Sequence, residues 1–104
     1  MFGILNQMFD NGTQADIKAM VENGALLLDV RTPGEFNSGH AQGAVNIPLQ
    51  DLNNHIADIK AKGKPVVAYC RSGNRSGMAA KLLQRHKIEA VNAGSLGQVN
   101  ALLA

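Results

Sequence analysis

The chain has 104 residues and a formal net charge of +2; 45% of its residues are apolar and 17% are charged. These values are typical of one globular domain, and the charge is too small to indicate binding to nucleic acid or to a membrane. The single cysteine excludes an internal disulfide, so nothing in the sequence points to an oxidising compartment. We therefore expect a cytoplasmic protein without nucleic-acid or membrane partners.

Residues 1–12 form an apolar extension before the domain, which we expect over residues 13–104. The extension has no basic region, long apolar run or small-residue cleavage site, so it is not a convincing signal peptide. It is also far shorter than the ~20 apolar residues of a membrane span. Its larger apolar side chains can share one face of a short helix, which we expect to pack on the domain, with a docking patch for a partner as the alternative; they are Phe2, Leu5, Met8 and Phe9.

The first half of the domain alternates between helix and strand patterns. A helix is predicted to start at Thr13, a typical N-cap residue, and to stop at Asn23-Gly24. Residues 25–30 form a continuous apolar run, as expected of a strand covered on both faces. A short helix over 33–36 opens with a proline, and residues 44–47 predict a short strand.

The second half continues this alternation. Apolar residues at helical spacing over 49–59 predict a helix, and a buried strand is expected over 66–69. The pattern then predicts a helix over 76–86, a short strand over 90–93 and a final helix over 96–103. Strands separated by helices indicate an α/β fold with a mostly parallel sheet and helices on both faces. In such sheets, ligands bind beyond the carboxyl ends of the strands.

Cys70 stands at such an end, directly after the apolar strand and shortly before a helix. Backbone N–H groups at a helix start carry partial positive charge, and they stabilise a thiolate, which is the nucleophilic form of cysteine. Arg71 and Arg75 add two cations nearby. The alternative is that Cys70 is merely a small buried apolar residue. The electropositive setting favours a reactive thiol.

Two stretches of the chain resemble the rhodanese family of sulfurtransferases. One runs from Asp29 to Phe36 and continues through Gly39-His40 and residues 43–48, and the other runs from Cys70 to Ser76. Their order and separation are similar to those of a single-domain rhodanese, and the resemblance covers nearly the whole chain from position 13 onward. It implies a five-stranded, mostly parallel sheet flanked by helices on both faces.

The resemblance also implies a two-step reaction without a cofactor or a metal. The cysteine takes a sulfane sulfur from a small anionic donor such as thiosulfate or polysulfide and becomes a persulfide. It then passes the outer sulfur to an acceptor, for which a thiol, cyanide or a thioredoxin-like protein is expected. Cys70 is the residue that matches the family's catalytic cysteine.

Independently of the resemblance, the residues of the loop after Cys70 suit this chemistry. Its N–H groups can curl around one sulfur atom as an anion-binding nest does, and Gly73 and Asn74 both tolerate the positive φ that such a curl needs. Arg71 is expected to attract an oxyanionic donor. Arg75 is expected to brace the loop through backbone carbonyls or a carboxylate.

Two serines complete this persulfide-binding loop. Ser72 and Ser76 can donate hydrogen bonds to the sulfur. For Ser76, a role as the helix N-cap alone is an equally good interpretation.

The motif around Asp29 is expected to be structural. Asp29 and Arg31 lie at a strand end, and Glu35 is close enough in sequence to pair with Arg31. His40 suggests a general base, but no acid is near enough in sequence to orient it, so a structural hydrogen bond is the better interpretation. The three histidines are scattered and there is no second cysteine, so no metal site is predicted.

The chain departs from the family near its carboxyl end. Ser95 and Val99 stand where the family usually carries the second glycine of a pair and a tryptophan. Val99 can still pack inward, so the expected fold is unaffected. The departure bears on the shape of the site rim, and through it on which acceptor fits the site.

Two other functions compete with the sulfurtransferase interpretation. Cysteine phosphatases and arsenate reductases also bind an oxyanion in a loop between a cysteine and an arginine, usually with five residues between the two. Only four residues separate Cys70 from Arg75, which makes a tighter loop that suits one sulfur atom better than a phosphoryl group. The other alternative is a persulfide carrier that accepts and delivers sulfur only through a protein partner.

Overall fold

The structure is a computed structural model that describes residues 13–104. The helical face predicted for Phe2, Leu5, Met8 and Phe9 lies outside these residues. The described elements are, in chain order, α1 (Gln14–Glu22), β1 (Leu26–Asp29), α2 (Pro33–Asn37), β2 (Val45–Asn46), a 3₁₀ helix (Leu49–His55), α3 (Ile56–Lys62), β3 (Val66–Cys70), α4 (Asn74–Arg85), β4 (Ala90–Ser95) and α5 (Leu96–Leu103). No helix among them is long and apolar enough to cross a membrane.

The strands form one parallel sheet in the order β2-β1-β3-β4, which confirms the predicted α/β fold class. Residues 13–104 contain four strands and not the five that the family resemblance implies. The reason is visible in the sequence, since this part of the chain carries only four short apolar runs of strand character. The two central strands, β1 and β3, each have a neighbour on both sides.

The core lies on both faces of the sheet. Along β3, Val66, Ala68 and Cys70 pack on the face covered by the 3₁₀ helix, α3 and α4, whereas Val67 and Tyr69 pack against α1 and α5. All five residues of β3 are buried, which explains why this strand is a continuous apolar run rather than an alternating one. Val99 of α5 is 1% exposed, so it packs inward as predicted.

Short-range signals set several of the helix ends correctly. Thr13 accepts a hydrogen bond from the backbone of Asp16 and caps α1. Thr32 and Glu35 form a capping box at the start of α2. The predicted start of the helix after Cys70 is wrong by two residues, because α4 already begins at Asn74. Gly73 precedes it with a φ of +99°, a left-handed conformation that turns the chain into the helix earlier than expected.

Candidate active site

Cys70 ends β3, the strand between β1 and β4, at the carboxyl edge of the sheet. Its side chain is fully buried, and three donors converge on its Sγ atom. The backbone N–H of Gly73 donates to Sγ at 3.0 Å and the backbone N–H of Ser76 at 3.4 Å, and the hydroxyl of Ser76 lies 3.3 Å from Sγ. The first turn of α4 has no side-chain cap. Instead, the sulfur atom occupies the place of a cap, and this is the setting that stabilises an anion.

The surroundings of Cys70 act on its pKa in opposite directions. Burial is the largest single effect and raises the pKa, because a desolvated thiolate is costly. The hydrogen bonds from Ser76, through both its hydroxyl and its N–H, and from the N–H groups of Gly73 and Ser72 together outweigh burial, so the pKa of the Cys70 thiol lies below its ordinary value. The direction is the one expected from the sequence. The largest contributions to this decrease are hydrogen bonds.

Ser76 is not the N-cap of α4, which was one of the two interpretations of this residue. It lies within the first turn and is fully buried, with its hydroxyl between Cys70 and β4. Ser72 and Asn74 are at the outer side of the loop, where the N–H of Asn74 donates to Ser72 Oγ at 3.3 Å. The loop therefore has an inner wall that contacts sulfur and an outer rim that faces solvent.

Asn92 is a part of the site that the sequence motifs did not indicate. Its Nδ2 group donates to Gly73 O at 2.9 Å, and its Oδ1 atom accepts from the N–H of Gly94 at 2.9 Å and lies 2.7 Å from Ser76 Oγ. One side chain of β4 thus holds the loop, the first turn of α4 and the end of its own strand at Gly94. A signal was present in the sequence, because a single amide within a buried strand needs polar partners.

The two arginines of the loop have different surroundings. Arg71 is exposed, and within residues 13–104 its side chain makes no hydrogen bond or ion pair. Arg75 forms two parallel hydrogen bonds with Glu35 of α2, at 2.7 Å and 3.0 Å. This ion pair, together with a bond from the backbone of Thr32, lowers the pKa of Glu35 to about 2.

The predicted pairing of Glu35 with Arg31 is therefore wrong. Arg31 pairs instead with Asp29, which is fully buried, at 2.7 Å. The physical reason is the direction of the short helix α2, in which the capping box turns the Glu35 side chain back to Thr32 and towards α4. Two residues apart at the end of β1, Asp29 and Arg31 meet directly and satisfy each other's charge.

The motif around Asp29 builds the floor of this edge of the sheet. Arg31 also donates to Gly39 O at 2.7 Å, so the buried pair anchors the loop after α2. The hydroxyl of Tyr69, the residue before Cys70, accepts from the N–H of Ala41 at 3.0 Å in the same region. Burial is the main reason that the pKa of Tyr69 rises to about 12. These contacts hold neighbouring segments together, and none of the donors in them points at Cys70.

His40 lies on the surface of the same loop. Its ring stacks on Phe36 with 3.7 Å between the ring centroids, and its Nδ1 atom lies 2.9 Å from Phe36 O. This is the local, structural hydrogen bond expected for a turn histidine. Within residues 13–104, no group of three or more histidine, cysteine and acidic side chains is arranged to hold a metal ion.

The rim beside the loop is shaped by the region that departs from the family pattern. Ser95 and Gln98 form a capping box at the start of α5. Gly94 has a φ of +89°, a left-handed conformation that favours glycine, and a Cβ atom there would also meet the side-chain amide of Gln98. A cleft of about 330 Å³ opens on this side, and Ser72, Gly73 and Asn92 are among its lining residues.

Comparisons with known proteins cover both motifs of the chain. The sequence model of the rhodanese-like domain matches residues 13–100. The thiosulfate sulfurtransferase PspE of Escherichia coli is 38% identical over 74 residues, which make up 69% of this chain and 71% of that protein. The uncharacterized protein YqhL of Bacillus subtilis is 47% identical over 62 residues, 60% of this chain. That match spans about half of the relative's own length, 48%.

A solved structure agrees with this result. The solved structure described as "rhodanese with anions from E. coli" superposes with a TM-score of 0.66 and 35% sequence identity. The superposition covers 72% of this chain and 91% of the other. It supports the same parallel sheet and the same helical layers as those described above.

Proposed function

The chain belongs to the rhodanese-like sulfurtransferase family, and on that premise we propose that it moves a sulfane sulfur from thiosulfate or polysulfide, through a persulfide on Cys70, to a thiol or to cyanide. A thioredoxin-like protein is the expected protein acceptor. The similar Escherichia coli protein is named a thiosulfate sulfurtransferase, which supports thiosulfate as the donor to test first.

One observation carries the proposal, namely the convergence of donors on a single sulfur atom. Two backbone N–H groups and one hydroxyl lie within 3.4 Å of Cys70 Sγ. The two backbone N–H groups stabilise negative charge without having to reorganise during the reaction. Because four residues separate Cys70 from Arg75, the loop is too tight to wrap a tetrahedral phosphoryl group and suits a sulfur anion better.

The reaction consists of two displacements at sulfur. The Cys70 thiolate attacks the outer sulfur of thiosulfate, the sulfur–sulfur bond of the donor breaks, and sulfite leaves with the bonding electron pair. The acceptor thiolate or cyanide then attacks the outer sulfur of the persulfide. The Cys70 Sγ–sulfur bond breaks in this step, and Sγ leaves as a thiolate, which restores the starting enzyme.

The two arginines are expected to contribute unequally to donor binding. Arg75 is held by Glu35 through two hydrogen bonds, so most of its charge is already neutralised. Arg71 is exposed beside the nucleophile and is the cation that can approach an anionic donor. We propose that Arg71 attracts thiosulfate by charge, whereas Arg75 braces the loop.

Intact-mass spectrometry after exposure to thiosulfate tests the proposal directly. The wild-type protein should gain the mass of one sulfur atom, and cyanide should remove that mass with formation of thiocyanate. Cys70→Ser is the variant that should not gain sulfur. Ser38→Ala, which alters an exposed serine outside the loop, is the control and should still gain it.

Assays with other substrates, run beside the mass measurement, distinguish the alternatives. Hydrolysis of p-nitrophenyl phosphate without thiosulfate turnover would favour a cysteine phosphatase, and arsenate turnover would favour a reductase. A protein that gains sulfur from a persulfidated protein, but not from thiosulfate or polysulfide, would be a persulfide carrier. Sulfur transfer at the full rate by Cys70→Ser would refute the assignment of Cys70 as the nucleophile.

A further inference from the structure

The hydroxyl of Ser76 lies between two acceptors. Ser76 Oγ is 3.3 Å from Cys70 Sγ and 2.7 Å from Asn92 Oδ1. A serine hydroxyl carries one proton, so it can donate to only one of these atoms at a time. Because Ser76 is fully buried, bulk water does not take part in this choice.

The orientation of the Asn92 amide is determined by its other partners. The backbone N–H of Gly94 can only donate, so the Asn92 atom that it contacts at 2.9 Å must be the oxygen. The carbonyl of Gly73 can only accept, so the atom that it contacts at 2.9 Å must be the amide nitrogen. The atom facing Ser76 is therefore an oxygen, and a separation of 2.7 Å between two oxygens requires the serine proton to lie between them.

The neighbouring helix leaves room for this amide. Gly77 of α4 faces Asn92, and a Cβ atom at Gly77 would approach Asn92 Nδ2 to 3.2 Å. The Asn92 side chain is thus confined by α4 on one side and by Gly94, near the end of β4, on the other. It cannot swing away from Ser76 without breaking its bonds to Gly73 and Gly94.

From this arrangement we propose that the Ser76 hydroxyl is a two-position donor, and that Asn92 is a positioning residue that competes with Cys70 for its proton. When Cys70 is a thiol, the hydroxyl donates to Asn92 Oδ1 and its lone pair faces the thiol. When Cys70 is a thiolate, the hydroxyl rotates and donates to Sγ. Asn92 Oδ1 then still accepts the hydrogen bond from the N–H of Gly94, and one such partner is enough for a carbonyl oxygen.

The consequence for catalysis rests on the proposed function. In the persulfide, Sγ is bonded to two atoms and carries no charge, so the hydroxyl returns to Asn92. When the acceptor removes the outer sulfur, Sγ regains negative charge and the hydroxyl turns back to it. The donor thus strengthens its contact as the leaving thiolate forms, and this is the stage at which stabilisation raises the rate.

The charged groups near Cys70 make no hydrogen bond to Ser76 or Asn92 among the described residues. Arg75 faces Cys70 from α4, Arg71 follows it in the loop, and the Asp29–Arg31 pair lies at the end of β1. The strand β4 has the sequence Ala-Val-Asn-Ala-Gly-Ser and brings no titratable side chain to the site. Replacing Asn92 with a neutral residue therefore changes the hydrogen-bond partner of the Ser76 hydroxyl without changing the local charge.

Alkylation of Cys70 by iodoacetamide at a pH below its titration midpoint tests the proposal, because the rate follows the thiolate fraction. Ser76→Ala should slow alkylation. Asn92→Ala should accelerate it about fivefold, the thiolate gain that corresponds to one freed hydrogen bond of about 1 kcal/mol. In the Ser76→Ala background, Asn92→Ala should have no effect. Gln84→Ala is the matched control, since Gln84 also ties α4 to β4, by a 2.8 Å bond to Ala90 O, and does not contact Cys70.

A purely structural role of Asn92 predicts different results. Loss of an anchor would loosen the loop donors, so Asn92→Ala would slow alkylation, or would change it by the same factor with and without Ser76. Either result would overturn the proposal. If Asn92→Ala does not fold, Asn92→Asp serves in its place, because a carboxylate holds the serine proton more strongly and should slow alkylation. The slowing caused by Asn92→Asp should be smaller in the Ser76→Ala background. Equal slowing in both backgrounds would overturn the proposal. The readout does not require sulfur transfer, so failure of the proposed function would leave it intact.

Discussion

The ion pair between Glu35 and Arg75 offers a sharp test of how the site is held together. Glu35→Gln removes the charge but keeps a side-chain oxygen that can accept from the Thr32 backbone, because glutamine also completes a capping box. The substitution therefore isolates the contact with Arg75, whose two N–H groups lie 2.7 Å and 3.0 Å from the carboxylate.

The expected magnitude follows from the pKa and the exposure of the pair. The pKa of Glu35 is about 2 instead of 4.5, chiefly because of the hydrogen bond from Arg75. Taken in full, this difference would correspond to about 3 kcal/mol. The side chains of Arg75 and Glu35 are 34% and 29% exposed, so solvent screens the pair, and part of the effect comes from Thr32. We expect a loss of about 1 kcal/mol, or a fall in Tm of about 4–8 °C.

The pH dependence gives the sign of the effect. Folding lowers the pKa of Glu35, so the stabilisation is fully present above pH 4.5 and is lost as the pH falls towards 2. Thermal unfolding of the wild-type protein and Glu35→Gln, followed by circular dichroism from neutral pH downward, should show a Tm difference that shrinks through this window. High salt should reduce the difference at neutral pH.

Thr13→Ala is the control. It removes the N-cap hydroxyl of α1, which accepts from the Asp16 backbone, makes no bond to a carboxylate and does not titrate, and it should cost about 1 kcal/mol at every pH. A Tm difference for Glu35→Gln that stays constant between neutral pH and pH 2, or that is absent at neutral pH, would refute the reasoning from the ion pair.

Three further substitutions test the floor, the donor site and the loop. Asp29→Ala leaves the buried Arg31 guanidinium without its carboxylate, so it should lower the free energy of unfolding by about 3–5 kcal/mol, measured by urea denaturation. A loss below about 1 kcal/mol would show that the pair is dispensable. Arg71→Ala should raise KM for thiosulfate with little change in kcat, and should matter less for an uncharged donor; a fall in kcat alone would contradict attraction by charge. Insertion of a glycine after Gly73 should lower kcat/KM roughly a hundredfold, because donors misplaced by about 1 Å no longer converge on Cys70; unchanged steady-state kinetics would show that the loop geometry is not required.

Much of the fold follows from signals that act over a few residues. The apolar run of β3, the cap at Thr13 and the proline at position 33 predicted the parallel sheet, its helices and the place of Cys70 at a strand end. These signals are local, since a cap or a strand pattern depends on neighbours within one or two turns. The start of α4 could not be placed from such signals, because it depends on the left-handed conformation of Gly73.

The partners of the site residues depend on tertiary structure. Glu35 and Arg75 are 40 positions apart, and Ser76 and Asn92 are 16 apart, yet both pairs are in contact. No sequence pattern specifies such pairs, because they arise only when β1, β3 and β4 are aligned in register and α2 and α4 are laid over their ends. The sequence by itself determined that a reactive cysteine stands before a helix. Only packing decided which carboxylate pairs with Arg75 and which amide competes for the Ser76 proton. The reason is that hydrogen bonds depend on distances of a few tenths of an ångström, which the whole fold sets.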